Sequence, residues 1–194
     1  MSLIVDIQMM ACELLKRDNL PKLLTERSYN VGVEVGVQRG EYSEYLLTNW
    51  AGKLWLIDPW EQQPDSVYHD VSNVEARWQK SFMTETKDRI ARFGDRAEIV
   101  QAYSSQTASM FEDGSLCFVY LDGNHSKEAV AADLRAWWPK LKSGGLMAGH
   151  DFVEDSENNH GCRFGVRSAV FEFMKRMQLD GPILFANETW PNWG

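Results

Sequence analysis

Glu34, Asp58, Asp122 and Asp151 each close a run of apolar residues in this chain of 194. A carboxylate taken out of water is costly unless it is paired, hydrogen-bonded or ligated. Any one of these acids could simply cap a helix or turn, as Asp often does. Four of them at the ends of four apolar runs point to a shared polar ligand. Around the first, the stretch "VGVEVGVQRGEYSEYLL" sets Gly36 and Gly40 directly after Glu34. Glycines there let the backbone turn sharply and approach a ligand, while the following helix presents free backbone amides. Asp58 closes the next apolar run about twenty residues on, where an acid can accept hydrogen bonds from both ribose hydroxyls. The pattern suits a nucleotide-like cofactor, although it carries neither G-x-G-x-x-G nor the Gly-Lys-Ser/Thr of a phosphate loop.

The elements that must position these acids alternate between strand and helix patterns. Strands are expected at "VGVEVG", "LWLID", "AEIVQA", "LCFVYLD" and "GLMAGHD". Several are apolar almost throughout, as in parallel sheets covered on both faces. Helices are expected at "EYSEYLLTNW", at "VEARWQKSFMTETKDRIARF" after a Ser72/Glu75 capping box, at "SKEAVAADLRAWWPKLK" and at "FGVRSAVFEFMKRM", with an amphipathic helix opening the chain. The expected fold is therefore α/β: a Rossmann-like, doubly wound sheet, mostly parallel, with helices on both faces. "PILFANETWPNWG" reads as an antiparallel closing hairpin. One domain is expected over 1–194, with an N-terminal helical segment (1–25), a cofactor-binding core (31–151) and a closing region (152–194).

Composition sets bounds on partners. At 44% hydrophobic and 25% charged residues the chain has the make-up of a globular domain with a core. Twenty basic against 28 acidic residues leave a net charge of −8, which works against nucleic acid or anionic membranes. No apolar run is long enough to span a bilayer and the start lacks signal-peptide features, so a cytoplasmic location is expected. Cys12, Cys117 and Cys162 are too widely spaced for a disulfide framework and read as reduced thiols.

The motifs resemble those of class I S-adenosylmethionine-dependent methyltransferases. "EVGVQRGEYS" is similar to the family's acid-and-glycine motif, and "LIDPW" to its second-strand acid motif. By that resemblance Glu34, Gly36 and Gly40 hold the methionine end of S-adenosylmethionine and Asp58 the ribose. Trp60, Tyr103 and Ser104 border the adenine, unless Trp60 is an ordinary core aromatic. "FVYLDGNHSKEAVAADLRAWWPKLKSGGLMAGHDF" resembles a small-molecule O-methyltransferase subgroup with D-G-x-H and G-H-D motifs. In related catechol-type enzymes the acid matching Asp122 is a metal ligand beside the cofactor, and a lysine three residues later is the base. His125 stands in that place here, and a neutral imidazole can take a proton from a hydroxyl at neutral pH. His150 and Asp151 match an adjacent pair of metal ligands. Asp122 and Asp151 suit Mg²⁺, whereas His150 fits Mn²⁺ or a softer ion better.

The resulting expectation is methyl transfer to a small-molecule acceptor, an oxygen nucleophile being favoured over nitrogen. Two other classes share the acid-ended strands: a NAD(P)-dependent Rossmann oxidoreductase, and a nucleotide-binding protein without catalysis. The loops "EQQPDSVYHDVSN" and "VEDSENNHGCRFGV" could form a lid, with His160 and Cys162 exposed to solvent. The opening helix and the tail "ETWPNWG" could cover a neighbouring subunit in a homo-oligomer or close their own core.

Overall fold

Period-two alternation along the strands decides which side chains meet. The computed structural model describes residues 16–154, 162–179 and 191–194. Its sheet comprises β1 (Val31–Val35), β2 (Lys53–Asp58), β3 (Ala97–Gln101), β4 (Leu116–Leu121) and β5 (Leu141–Gly149). The order is β3-β2-β1-β4-β5 and every pairing is parallel. The helices are α1 (Leu20–Glu26), α2 (Glu41–Asn49), α3 (Ala76–Ile90), the single turn α4 (Ser104–Thr107), α5 (Lys127–Trp137) and α6 (Val166–Met177).

Val33, Val35, Ile57, Val119, Leu121 and Met147 point to one face of the sheet, where Val130, Leu134 and Trp137 of α5 and Val170 and Phe173 of α6 cover them. Leu54, Leu56, Phe118, Tyr120 and Ala148 point to the other, under Leu20 and Leu24 of α1, Leu46 and Leu47 of α2, and Phe82 and Ile90 of α3. β4 is buried at all six positions, which accounts for its unbroken apolar run. Glu34 lies between Val33 and Val35, so its side chain faces the α2 side.

Two expectations are corrected. The antiparallel closing hairpin is not supported: all five strands are parallel, and most of its segment lies outside the described residues. Its described end instead forms one antiparallel bridge, Trp193 with Gly149. Trp193 is buried in the core of its own chain, and Asn192 Oδ1 accepts a hydrogen bond from the Tyr120 hydroxyl at 2.5 Å. The Ser72/Glu75 capping box does not form, because Glu75 is itself the residue before α3 and caps nothing with its side chain. The Ser72 hydroxyl faces the Gln38 side-chain amide at 3.3 Å instead. Ser126 does cap α5, accepting from the Ala129 amide. The opening amphipathic helix lies mostly outside the described residues.

Candidate active site at the carboxyl edge of the sheet

The chain leaves β1 toward β2 and β3, and β4 lies on its opposite side, so the carboxyl ends of β1 and β4 form a topological switch point. Gly36 sits in this crevice with φ of 84°; a Cβ there would lie 2.0 Å from the Asp122 carbonyl oxygen. A side chain cannot be accommodated, so the two strand ends come together over backbone. Gly40 (φ 72°) begins α2 and packs against Thr86; it lines neither of the two cavities described below.

A cavity of about 240 Å³ lies on the β2–β3 side, lined among others by Asp58, Glu61, Tyr68, Tyr103, Ser104 and Asp133. One Asp58 oxygen accepts from the Val37 and Gln38 amides at 2.9 and 3.0 Å, the other from the Trp60 amide at 2.7 Å. Burial raises the pKa of this carboxyl, against those three hydrogen bonds. Tyr103 donates to Glu61 at 2.9 Å. Ser104 donates to Asp133 at 2.5 Å and accepts from the Trp137 indole at 2.8 Å. Burial raises the Asp133 pKa to about 6. Trp60 does not border this cavity: it is buried among core residues, and its indole donates to the Gln38 carbonyl at 2.7 Å.

A larger cavity of about 480 Å³ opens on the other side of the same crevice, and Gly36, Gln38, Ser72 and Asp122 line both. Glu34 lies at its floor, 1% exposed, and accepts from the Ser43 hydroxyl of α2 at 2.5 Å. Burial pushes the Glu34 pKa up to about 8, with the Ser43 hydrogen bond and Arg17 opposing. Arg17, just before α1, donates to Asp122 and lies over the Tyr42 ring, 4.4 Å from its centroid.

Asp122, His125 and Asp151 meet in this larger cavity, with ligand atoms within 4.8 Å of one another. The His125 Nε2 is 3.0 Å from Asp151 Oδ2 and 3.5 Å from Asp122 Oδ1; Nδ1 is 3.3 Å from Asp70 Oδ2. The ring stacks on Phe164 at 5.0 Å and 8°. Burial alone would lower the His125 pKa, but Asp122, Asp151 and Asp70 raise it well above the usual imidazole range. Without a cation in the cluster, the three carboxylates therefore favour the protonated form of the expected base, His125.

Burial would raise the Asp122 and Asp151 carboxyls, but each is held below the usual range, Asp122 by Arg17 and His125, Asp151 by His125 and His150. Nε2 of His125 is buried without a partner in hydrogen-bonding geometry, and in the neutral ring its lone pair could take a cation. The donor set of two carboxylates and one imidazole fits a divalent metal. His150, expected as a ligand, lines the same cavity, with Nδ1 3.0 Å from Asp151 Oδ1 and 3.6 Å from Asp122 Oδ1.

Asp70 and Arg17 were not singled out in the sequence. Both come from outside the apolar runs, and an Asp among several loop acids carries no spacing signal. Cys162, expected in an exposed loop, is buried beside Val153 and Phe164 and lines the larger cavity; His160 lies outside the described residues.

The chain matches a family described as a methyltransferase domain over residues 33–152. Among solved structures it resembles the O-methyltransferase TomG from Streptomyces achromogenes, in complex with SAM (TM-score 0.63, 13% identity, 91% of this chain and 77% of that one). It also resembles cofactor-bound Rv0187 from MTB (0.61, 12%, 97% and 88%). A third similar fold is the 1,6-didemethyltoxoflavin-N1-methyltransferase of Burkholderia thailandensis, bound to S-adenosylhomocysteine (0.55, 15%, 88% and 72%). At these identities the structures speak for the fold, while the family match spans more than half of the chain and includes Glu34, Gly36, Asp58, Asp122 and Asp151. The chain belongs to the methyltransferase domain family and is an S-adenosylmethionine-dependent methyltransferase of class I.

Proposed function

We propose that the protein transfers a methyl group from S-adenosylmethionine to a hydroxyl of a small-molecule acceptor. The observation that carries this reading is the pair of cavities joined at Gly36 and Asp122, one sized for a nucleoside and one rich in titratable groups. The adenosine would occupy the cavity of Asp58, Tyr103 and Ser104. The methionine end would cross Gly36 toward Glu34, leaving the sulfonium methyl at Asp122. Asp58 does this indirectly as well: by holding the Val37 and Gln38 amides it sets the backbone over which the cofactor lies.

The acceptor would enter the larger cavity, where its oxygen attacks the methyl and S-adenosylhomocysteine departs. Alignment of the two reactants is the main contribution of the fold. We assign proton removal to the Asp122–His125–Asp151 cluster acting together, its members 3.0 and 3.5 Å apart about the His125 Nε2. A divalent ion held by Asp122 and Asp151 would lower the pKa of a bound hydroxyl. The choice of oxygen over nitrogen rests on this acidic cluster, which a neutral amine acceptor would not need. We take residues 31–151 as the cofactor-binding core of a single domain.

Calorimetric titration of S-adenosylhomocysteine tests the cofactor assignment, with micromolar binding expected for the parent and at least tenfold weaker binding for Asp58→Ala. Labelled S-adenosylmethionine offered with a panel of hydroxylated and amine acceptors then tests the chemistry. Transfer to amines alone would overturn the O-methyl reading, and absence of cofactor binding would overturn the site assignment.

A further inference from the structure

Asp151 has a left-handed backbone, with φ of 53°. That region is uncommon for any residue but glycine, and a side-chain-bearing residue stays in it where the surrounding structure over-determines the conformation. One short segment, residues 191–194, holds the neighbours of Asp151 on both sides. Gly149 and Trp193 exchange two main-chain hydrogen bonds, both of 3.0 Å. The Trp193 indole donates to the His150 carbonyl at 3.2 Å, and the Phe152 amide donates to the Pro191 carbonyl at 3.0 Å. The segment therefore grips positions 149, 150 and 152, with Asp151 between them.

The fit depends on the residues present. A Cβ at Gly149 would lie 2.5 Å from the Leu121 carbonyl oxygen and 2.7 Å from the Trp193 ring, so only glycine lets the chain pass between β4 and the indole. Trp193 is buried among the residues that α5 and α6 cover. Asn192 faces the opposite side of the sheet, as alternation in an extended segment requires, and its Oδ1 takes the Tyr120 hydroxyl. The Tyr120 ring lies 5.0 Å from that of Tyr42 and 5.9 Å from the Arg17 guanidinium. Arg17 in turn holds Asp122. Two adjacent residues thus support both strand-end carboxylates, Trp193 through the backbone around Asp151 and Asn192 through Tyr120 and Arg17.

The left-handed turn decides where the Asp151 carboxylate points. In it, Oδ2 stands 3.0 Å from His125 Nε2 and Oδ1 stands 3.0 Å from His150 Nδ1. Returning φ to the usual negative range would redirect the Cβ and break both contacts. Resting on the methyltransferase reading, in which this cluster removes the acceptor's proton, we propose that Trp193 is a positioning residue for the transfer: it clamps the backbone around Asp151 and so aims that carboxylate into the cluster. Trp193 touches neither cofactor nor acceptor in this role. It acts through the conformation of a residue that does.

Amide hydrogen exchange, followed by NMR on the full chain, tests the clamp without an acceptor. In the parent, the Gly149 and Phe152 amides should exchange as slowly as the amides of β1 and β4. Trp193→Phe keeps an aromatic ring in the core and removes the indole donor. Both amides should then exchange about tenfold faster or more, beyond any change at Val33 and Val119. Turnover of labelled S-adenosylmethionine with a hydroxylated acceptor from the panel should fall about tenfold or more in kcat, while KM for S-adenosylmethionine changes less than about threefold.

A tryptophan that only fills the core would shift the unfolding midpoint and all slow exchange rates together, with kcat unchanged per folded molecule. That result, or equal exchange at Gly149 and Phe152 in parent and variant, overturns the proposal. Rapid exchange of these two amides in the parent overturns it as well, and that measurement stands even if Trp193→Phe does not fold. Titration with S-adenosylhomocysteine separates the two readings. No binding by the parent overturns the methyltransferase reading, whereas binding by both proteins with kcat unchanged in the variant overturns the clamp alone.

Discussion

Gly36 and Asp122 touch through backbone at the switch point, so close that the position a Cβ would take at Gly36 is 2.0 Å from the Asp122 carbonyl oxygen. The contact joins the ends of β1 and β4 and brings the two cavities to one point. Gly36→Ala combines a left-handed backbone with a clash against main chain that cannot rotate away. It should cost about 3 kcal/mol or more of stability. Urea unfolding of the variant checks this, and a midpoint equal to the parent's would contradict the close approach.

Glu34 should make stability fall as pH rises. Burial lifts its pKa from 4.5 to about 8, so between those values the folded chain keeps a proton that the unfolded chain has released. The unfolded state then binds fewer protons, and the slope of unfolding free energy with pH is negative over that window. Glu34→Gln removes the titration. Its stability relative to the parent should climb from pH 5 to pH 8 and level off above about pH 9. Denaturant curves across this range provide the measurement, and a flat difference would mean that Glu34 is ionised throughout.

Ser104 links Asp133 to the Trp137 indole in the wall of the smaller cavity. Ser104→Ala leaves both without this partner, and Asp133 is buried. The expected loss is about 1–3 kcal/mol in thermal or denaturant unfolding, with S-adenosylhomocysteine affinity reduced as the cavity wall relaxes. Retained affinity with lost stability would restrict Ser104 to a structural part.

Arg17 compensates Asp122 in the absence of other cations. Arg17→Leu should lower stability by about 1–3 kcal/mol in chelator. Because an ion on Asp122 would replace part of the missing charge, Mn²⁺ should raise the unfolding midpoint more in the variant than in the parent. Equal responses would argue against an ion on this carboxylate.

The five strands and the main helices were readable because their signals are local. Apolar runs such as "LCFVYLD" mark strands buried on both faces, and the acid closing each run marks its carboxyl end. From these alone it followed that Glu34, Asp58, Asp122 and Asp151 would gather at one edge of an α/β sheet, and they do. The D-G-x-H stretch likewise put His125 near Asp122, because a turn of three residues leaves little freedom.

Tertiary structure alone decided what each of these groups does. Asp70 is 55 positions from His125 and Arg17 is 105 from Asp122, so no periodicity could pair them. The same long-range packing turned Trp60 into the core, set His150 against both Asp151 and Asp122, and surrounded His125 with carboxylates that favour its protonated form. Local sequence sets which backbone elements form. The protonation and orientation of a buried side chain depend on neighbours that only the folded chain supplies.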